Sequence, residues 1–152
     1  MLKKTITYED YLGNIRTEDK YFNFSRTELS NMQMSVDGGL DVQLNKMLAA
    51  KDTKEVYTTF VKIVLDSYGE VSPDGRYFLK TDENGNRLAD KFRQSPAYDV
   101  LMDEICKDQT TIADFCKGIM PRDMLKNVDI SAIPQDHKKP ENLRAYNPDQ
   151  NR

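Results

Sequence analysis

The sequence predicts an α+β fold, mostly α: an N-terminal β-hairpin (residues 3–24), a compact bundle of about five short helices (25–120) and an extended C-terminal tail (121–152). Three observations predict it. From Thr53 to Tyr68, the residues Val56, Phe60, Ile63, Val64 and Tyr68 recur at spacings of three and four, which a helix stacks on one face. Val61 and Leu65 widen that face into a stripe that needs neighbours on more than one side, so this is the central helix. At the N-terminus, Thr5, Ile6, Thr7 and Tyr8 are β-branched or aromatic, and Gly13-Asn14 marks a turn before a second run from Ile15 to Phe24. From Arg122 onward, prolines at 134, 140 and 148 and scattered charges argue against a helix of any length.

The remaining elements follow from local signals. Ser25-Arg26-Thr27-Glu28 fits a capping box and opens a short helix carrying Leu29 and Met32. Asp37-Gly38-Gly39 breaks it, and a helix from Leu40 to about Ala50 presents Leu44, Met47 and Leu48. Thr53 caps the central helix, and Gly69 is expected to close it in the left-handed conformation. Ser72-Pro73-Asp74-Gly75 reads as a tight turn, Arg76 to Lys80 as a short extended or irregular piece, and Asp82 to Asn86 as a polar turn. A helix from Arg87 to Arg93 puts Leu88 and Phe92 on one face. The next starts at Ser95-Pro96 and carries Tyr98, Leu101, Met102, Ile105 and Cys106. The last carries Ile112, Phe115, Cys116 and Ile119, and Gly118 and Pro121 end it.

Composition excludes several function classes. The formal charge is −3, and 22 Lys and Arg are interleaved with 25 Asp and Glu, which is neither a nucleic-acid footprint nor a basic membrane-binding face. No window approaches 18 uncharged apolar residues, and the N-terminus lacks the apolar core of a secretion signal, so a soluble cytoplasmic protein is expected. Cys106 and Cys116 are ten positions apart in helical sequence, close to three turns, and are expected to be packed thiols. No catalytic, cofactor-binding or metal-ligating set emerges. The single histidine, His137, lies in the tail, Ser72 and Ser95 are turn and cap residues, and Asp10, Asp37, Asp74 and Asp82 occupy turns where bonding to nearby amides explains them. The chain is read as a non-enzymatic protein that presents surfaces.

Four blocks in order sharpen that reading: Tyr21-Phe22-Asn23-Phe24-Ser25-Arg26-Thr27-Glu28-Leu29; Met32-Gln33-Met34-Ser35 with Gly38-Gly39-Leu40; Tyr68-Gly69-Glu70 with Ser72-Pro73-Asp74-Gly75-Arg76 and Phe78-Leu79-Lys80; and Phe92-Arg93-Gln94-Ser95 with Ala97-Tyr98 and Leu101-Met102. Together they resemble a family of small tail-assembly proteins of tailed phages, commonly described as tail assembly chaperones, over about residues 3–120. The chain departs from the family pattern by an apparent insertion at Asp82–Arg87 and by a longer tail after Pro121.

The resemblance implies a non-enzymatic chaperone in the host cytoplasm that binds the tape-measure protein, tail-tube subunits or both. It carries over no active-site residue or cofactor. A homo-oligomer is compatible with it, whereas nucleic acid and membrane are not expected partners. The expected partner surface comprises Tyr21, Phe22 and Phe24 on the hairpin, Tyr77 and Phe78 at the junction, and Leu125, Val128, Ile130 and Ile133 in the tail. The competing class is a permanent virion component, such as a connector, tube or head-decoration subunit, whose C-terminal arm interlocks with neighbours.

Overall fold

Two strands begin the chain because Asp10 reverses it. The computed structural model describes residues 1–35, 39, 42–43, 45–46, 53–107, 109–121 and 123. Strand β1 (Leu2–Glu9) pairs antiparallel with β2 (Ile15–Phe22), Leu2 opposite Phe22 and Glu9 opposite Ile15. Period-two alternation sends Ile6, buried, to one face with half-buried Leu2, Lys4 and Tyr8, and sends Lys3, Thr5 and Thr7 to solvent. The solvent face is tied by Thr5 Oγ1 to Asp19 (2.6 Å) and by the Thr7–Thr17 hydroxyl pair (2.9 Å).

Helix α1 (Arg26–Gln33) starts on the predicted capping box: the Glu28 amide donates to Ser25 Oγ at 3.1 Å, and the Ser25 amide donates to Glu28 Oε2 at 2.8 Å. Of the helix expected from Leu40 to Ala50, Val42, Gln43, Asn45 and Lys46 are described and helical, whereas Leu40, Leu44, Met47 and Leu48 lie outside the described residues. Helix α2 (Thr53–Ser67) is the expected spine, with Val56, Phe60, Ile63 and Val64 all buried. Helix α3 (Leu88–Arg93) buries Ala89 and Phe92, α4 (Pro96–Ile105) buries Ala97, Leu101, Met102 and Ile105, and α5 (Gln109–Ile119) buries Ile112, Phe115, Cys116 and Ile119.

The mostly helical bundle with a lone hairpin is overturned by a four-stranded antiparallel sheet in the order β1-β2-β3-β4, which makes the class a mixed α+β fold with N-terminal strands. Strand β3 (Tyr68–Val71) leaves α2 without a loop and pairs with the end of β2, Gly69 opposite Tyr21 and Tyr68 opposite Phe22. Strand β4 (Phe78–Leu79) returns beside it, Val71 opposite Phe78. Tyr68 keeps the apolar spacing of the helix, and strands of four and two residues are too short to show alternation, so the sequence signal reads as helix followed by turn.

Two glycines therefore serve differently from the expectation. Gly69 does not adopt positive φ. A Cβ there would collide with the Phe78 ring and stand 2.7 Å from the Leu79 carbonyl oxygen, so glycine is needed for close passage of two strands. Gly118 lies inside α5 rather than ending it, and a Cβ would stand 2.9 Å from Leu2 Cδ1. Ser95 sits at the start of α4, yet its hydroxyl turns back to the Phe92 carbonyl (2.6 Å) and does not cap.

The core closes around Phe22, which is fully buried. Its ring meets Tyr68 at 5.6 Å, Phe92 at 6.0 Å and Phe115 at 5.2 Å, each edge-on, while Tyr68 stacks on Phe92 at 4.2 Å. Phe60 extends the cluster from α2 to Phe115 (5.9 Å). The backbone seals the same region, with the Asn23 amide donating to the Ser67 carbonyl (2.8 Å) and the Phe24 amide to the Ile119 carbonyl (3.0 Å). Cys116 is buried, which pushes its thiol up to about 12, while Cys106 is half-buried, and neither forms a disulfide.

Gly69→Ala is expected to destabilise the fold by about 2 kcal/mol, because the new methyl meets backbone as well as a ring. Urea unfolding of the purified protein measures it, and an unchanged midpoint would show that β3 and β4 do not pass as described.

Candidate partner-binding surface

The tip of the β1–β2 hairpin is a five-residue loop, Asp10 to Asn14, built around one carboxylate. Asp10 Oδ1 accepts from the amides of Leu12 and Asn14, both at 2.9 Å, and the Arg16 guanidinium donates Nε to Asp10 Oδ2 at 2.6 Å. The Asp10 amide donates to the Asn14 carbonyl (2.9 Å), the Gly13 amide to the Asp10 carbonyl (3.0 Å), and Gly13 takes φ +86°. Arg16 foremost, then the Asn14 amide, holds the Asp10 carboxyl well below the usual carboxylate range. The same arrangement recurs at Asp82 to Asn86, where Asp82 Oδ1 accepts from the Asn84 and Asn86 amides at 2.9 Å and Gly85 takes φ +82°. D-x-x-G-N is thus a local device for reversing the chain.

At the first of these loops the amides of Asp10, Leu12, Gly13 and Asn14 are all bonded within the turn, while the large side chains stand free of the core. Tyr11 is 73% exposed, Leu12 88% and Ile15 71%. Beside them lies a groove of about 400 Å³ between the hairpin end and the first turns of α4, lined by Tyr8, Tyr11, Ile15, Pro96, Asp99 and Val100. Val100 is a further exposed aliphatic on its floor. A loop of turn residues cannot bury its own large apolar side chains, so Tyr11-Leu12 directly before Gly13 was the available sequence signal for this surface.

The expected surface residues divide. Phe22 and Phe24 are buried in the chain's own core, which corrects their assignment to a partner edge: Tyr21 and Phe22 are adjacent on a strand, so only one can face outward. Tyr21 is half-buried on the opposite face. Tyr77 is exposed at the end of the β3–β4 loop, with Leu79 also exposed, while Phe78 is half-buried over Gly69. Leu125, Val128, Ile130 and Ile133 lie outside the described residues, as does His137. The Tyr77 arm sits at β4 and the tip belongs to β1 and β2, so the two apolar patches are separate surfaces across the sheet.

The junction that holds Tyr77 is equally ordered. Ser72 Oγ donates to Asp74 Oδ1 (2.7 Å) and accepts from the Tyr77 amide (3.0 Å), and Gly75 takes φ +76°. Lys80 reaches back from β4: its Nζ lies 2.6 Å from Glu28 Oε1, donates to the Asp66 carbonyl at 2.9 Å and sits 4.8 Å over the Phe24 ring. Among the described residues, no group of three or more His, Cys, Asp or Glu is placed to hold a metal ion, and no helix is long and apolar enough to cross a membrane.

Because the Asp10 carboxyl is depressed by bonds made in the fold, its stabilisation of the tip is complete above about pH 4 and is lost as the pH falls through its folded value. Carboxyl carbon NMR is expected to show Asp10 titrating well below the free-aspartate value of about 3.9, and a midpoint at that value would contradict the bonded loop.

No curated protein and no solved structure matches the chain. A family model described as phage tail assembly chaperone matches residues 1–152, the whole sequence given. The resemblance seen in the four sequence blocks thereby extends over the full length, and the chain belongs to the phage tail assembly chaperone family.

Proposed function

We propose that this protein binds the tape-measure protein, or tail-tube subunits, while the tail is built in the host cytoplasm, and that it does so without catalysis. The observation that carries this reading is the exposure of Tyr11 and Leu12 on a loop held by Asp10, with Ile15 exposed at the start of the next strand. An apolar group presented rigidly pays little ordering entropy on contact. Exposed apolar patches beside a groove are places where soluble proteins meet partners.

A tape-measure protein is expected to be long and helical, and its apolar stripes would aggregate if left uncovered. One such tip gives a weak contact. Many copies along one partner give stable coverage that tube subunits can still displace one site at a time. The arm carrying Tyr77 and Leu79 supplies a second, smaller contact on the far side of the sheet.

Co-expression tests the reading. The soluble fraction of the tape-measure protein is expected to rise several-fold with this protein present and to fall back when Leu12→Ser and Ile15→Ser are combined, since both side chains are exposed and their loss leaves the core intact. Unchanged tape-measure solubility would overturn it. Stoichiometric presence of this protein in purified particles would instead favour a permanent virion component.

A further inference from the structure

The outer edge of β1 is a strand edge with a charge pattern that suits only one partner. Strand β1 is the terminal strand of the sheet, and no described strand pairs with its far side. The phase of the ladder is set at both ends: the Asp10 amide turns inward to the Asn14 carbonyl, and the Asn23 amide turns toward β3 to the Ser67 carbonyl. With the continuous β1–β2 register, even-numbered β1 residues bond to β2, and Lys3, Thr5, Thr7 and Glu9 direct their N–H and C=O groups outward. Lys3, Thr5 and Thr7 are solvent-exposed, and helix α4 packs on the other face, where Lys4 Nζ lies 3.4 Å from Glu104.

Open edges of this length are templates for pairing, and natural proteins often blunt them with lysine. Here the lysines, Lys3 and Lys4, stand at one end and the acids, Glu9 and Asp10, at the other. Such polarity opposes a parallel copy and favours an antiparallel one. We propose that two copies of this chain pair antiparallel along β1, with the two-fold axis at Ile6, extending the sheet across both.

That register is selected by chemistry. A two-fold axis perpendicular to the sheet must lie midway between a residue and its own counterpart, because a half-step would put side chains on opposite faces in register. Centred on Ile6, Lys3 of one copy faces Glu9 of the other and Thr5 faces Thr7, so every outward backbone group finds a partner. Centred on Thr5, Lys4 faces Ile6 and Lys3 faces Thr7, and centred on Thr7, Glu9 faces Thr5, so no opposite charges within the strands meet across the axis, and Lys3 keeps only Asp19 of its own strand pair (3.6 Å). The hairpin tips then point to opposite ends of the joined sheet, beyond strand ends (Glu9 of each copy) about 20 Å apart at roughly 3.4 Å per residue.

This pairing does not depend on which tail protein is bound, and a failed co-expression experiment leaves it untouched. Sedimentation equilibrium of the purified full chain is expected to show a concentration-dependent dimer. Thr7→Pro removes an N–H that points away from β2, so it is expected to leave the circular dichroism unchanged and to give a monomer. Lys3→Glu and Glu9→Lys are each expected to weaken the dimer about tenfold, and the two together to restore it. A wild-type chain monomeric at all concentrations, a dimer that survives Thr7→Pro, or charge reversals without mutual rescue would each overturn the proposal.

Discussion

The structure depends on the placement of one ring. Phe22, at the last residue of β2, touches an aromatic from β3, one from α3 and one from α5, so sheet and helices share a single contact point. Burying a phenylalanine there is worth a few kcal/mol, a large part of the margin by which a small domain is folded. Its position also fixes the sense of the hairpin. With Phe22 inward, Tyr21 must face out, and Leu2, Lys4, Ile6 and Tyr8 of β1 face the helices.

Lysines on that inner face are made tolerable by local pairing. Lys4 and Lys20 stand directly opposite each other, which unpaired would repel. Lys4 instead reaches Glu104 on α4 (3.4 Å), and Lys20 reaches Glu18 (2.9 Å), so Phe22 on one side of the lysine pair and Ile6 on the other stay buried. The sequence strings that carry the family resemblance fall on the same frame. Ser25 and Glu28 form the capping box, Tyr68 stacks on Phe92, Gly69 makes room for Phe78, and Lys80 ties β4 back to α1 and α2. These motifs specify the frame, and the exposed apolar side chains of Tyr11, Leu12 and Ile15 lie outside them.

The legible parts of the sequence were those governed by near neighbours. The capping box at Ser25, the stripe on α2 and the start of α4 at Pro96 depend on residues within one or two turns, and the structure places each where the spacing predicts. Strand β3 was illegible because its identity comes from pairing with β2 across forty-odd positions, as when Tyr68 meets Phe22, whereas Phe78-Leu79 falls in the piece read as short extended or irregular and gains its strand identity only beside β3. Gly69 misled for the same reason: a glycine after a helix signals a cap, and only the approach of Phe78 reveals a steric role. Phe22 and Phe24 looked like partner residues because adjacent aromatics in a hairpin suggest an edge, whereas the helices that cover them arrive from the far end of the chain.

The frame is rigid where it is apolar inside, and its tip is apolar outside because a hydrogen-bonded turn has no interior to offer. A photo-crosslinking amino acid placed singly at Leu12, at Tyr77 and at the solvent-facing Thr17 during tail assembly tests this most directly. Strong capture of the tape-measure or tube protein is expected from position 12, weaker capture from 77 and none from 17. Equal capture from all three positions, or capture from 17 alone, would contradict it.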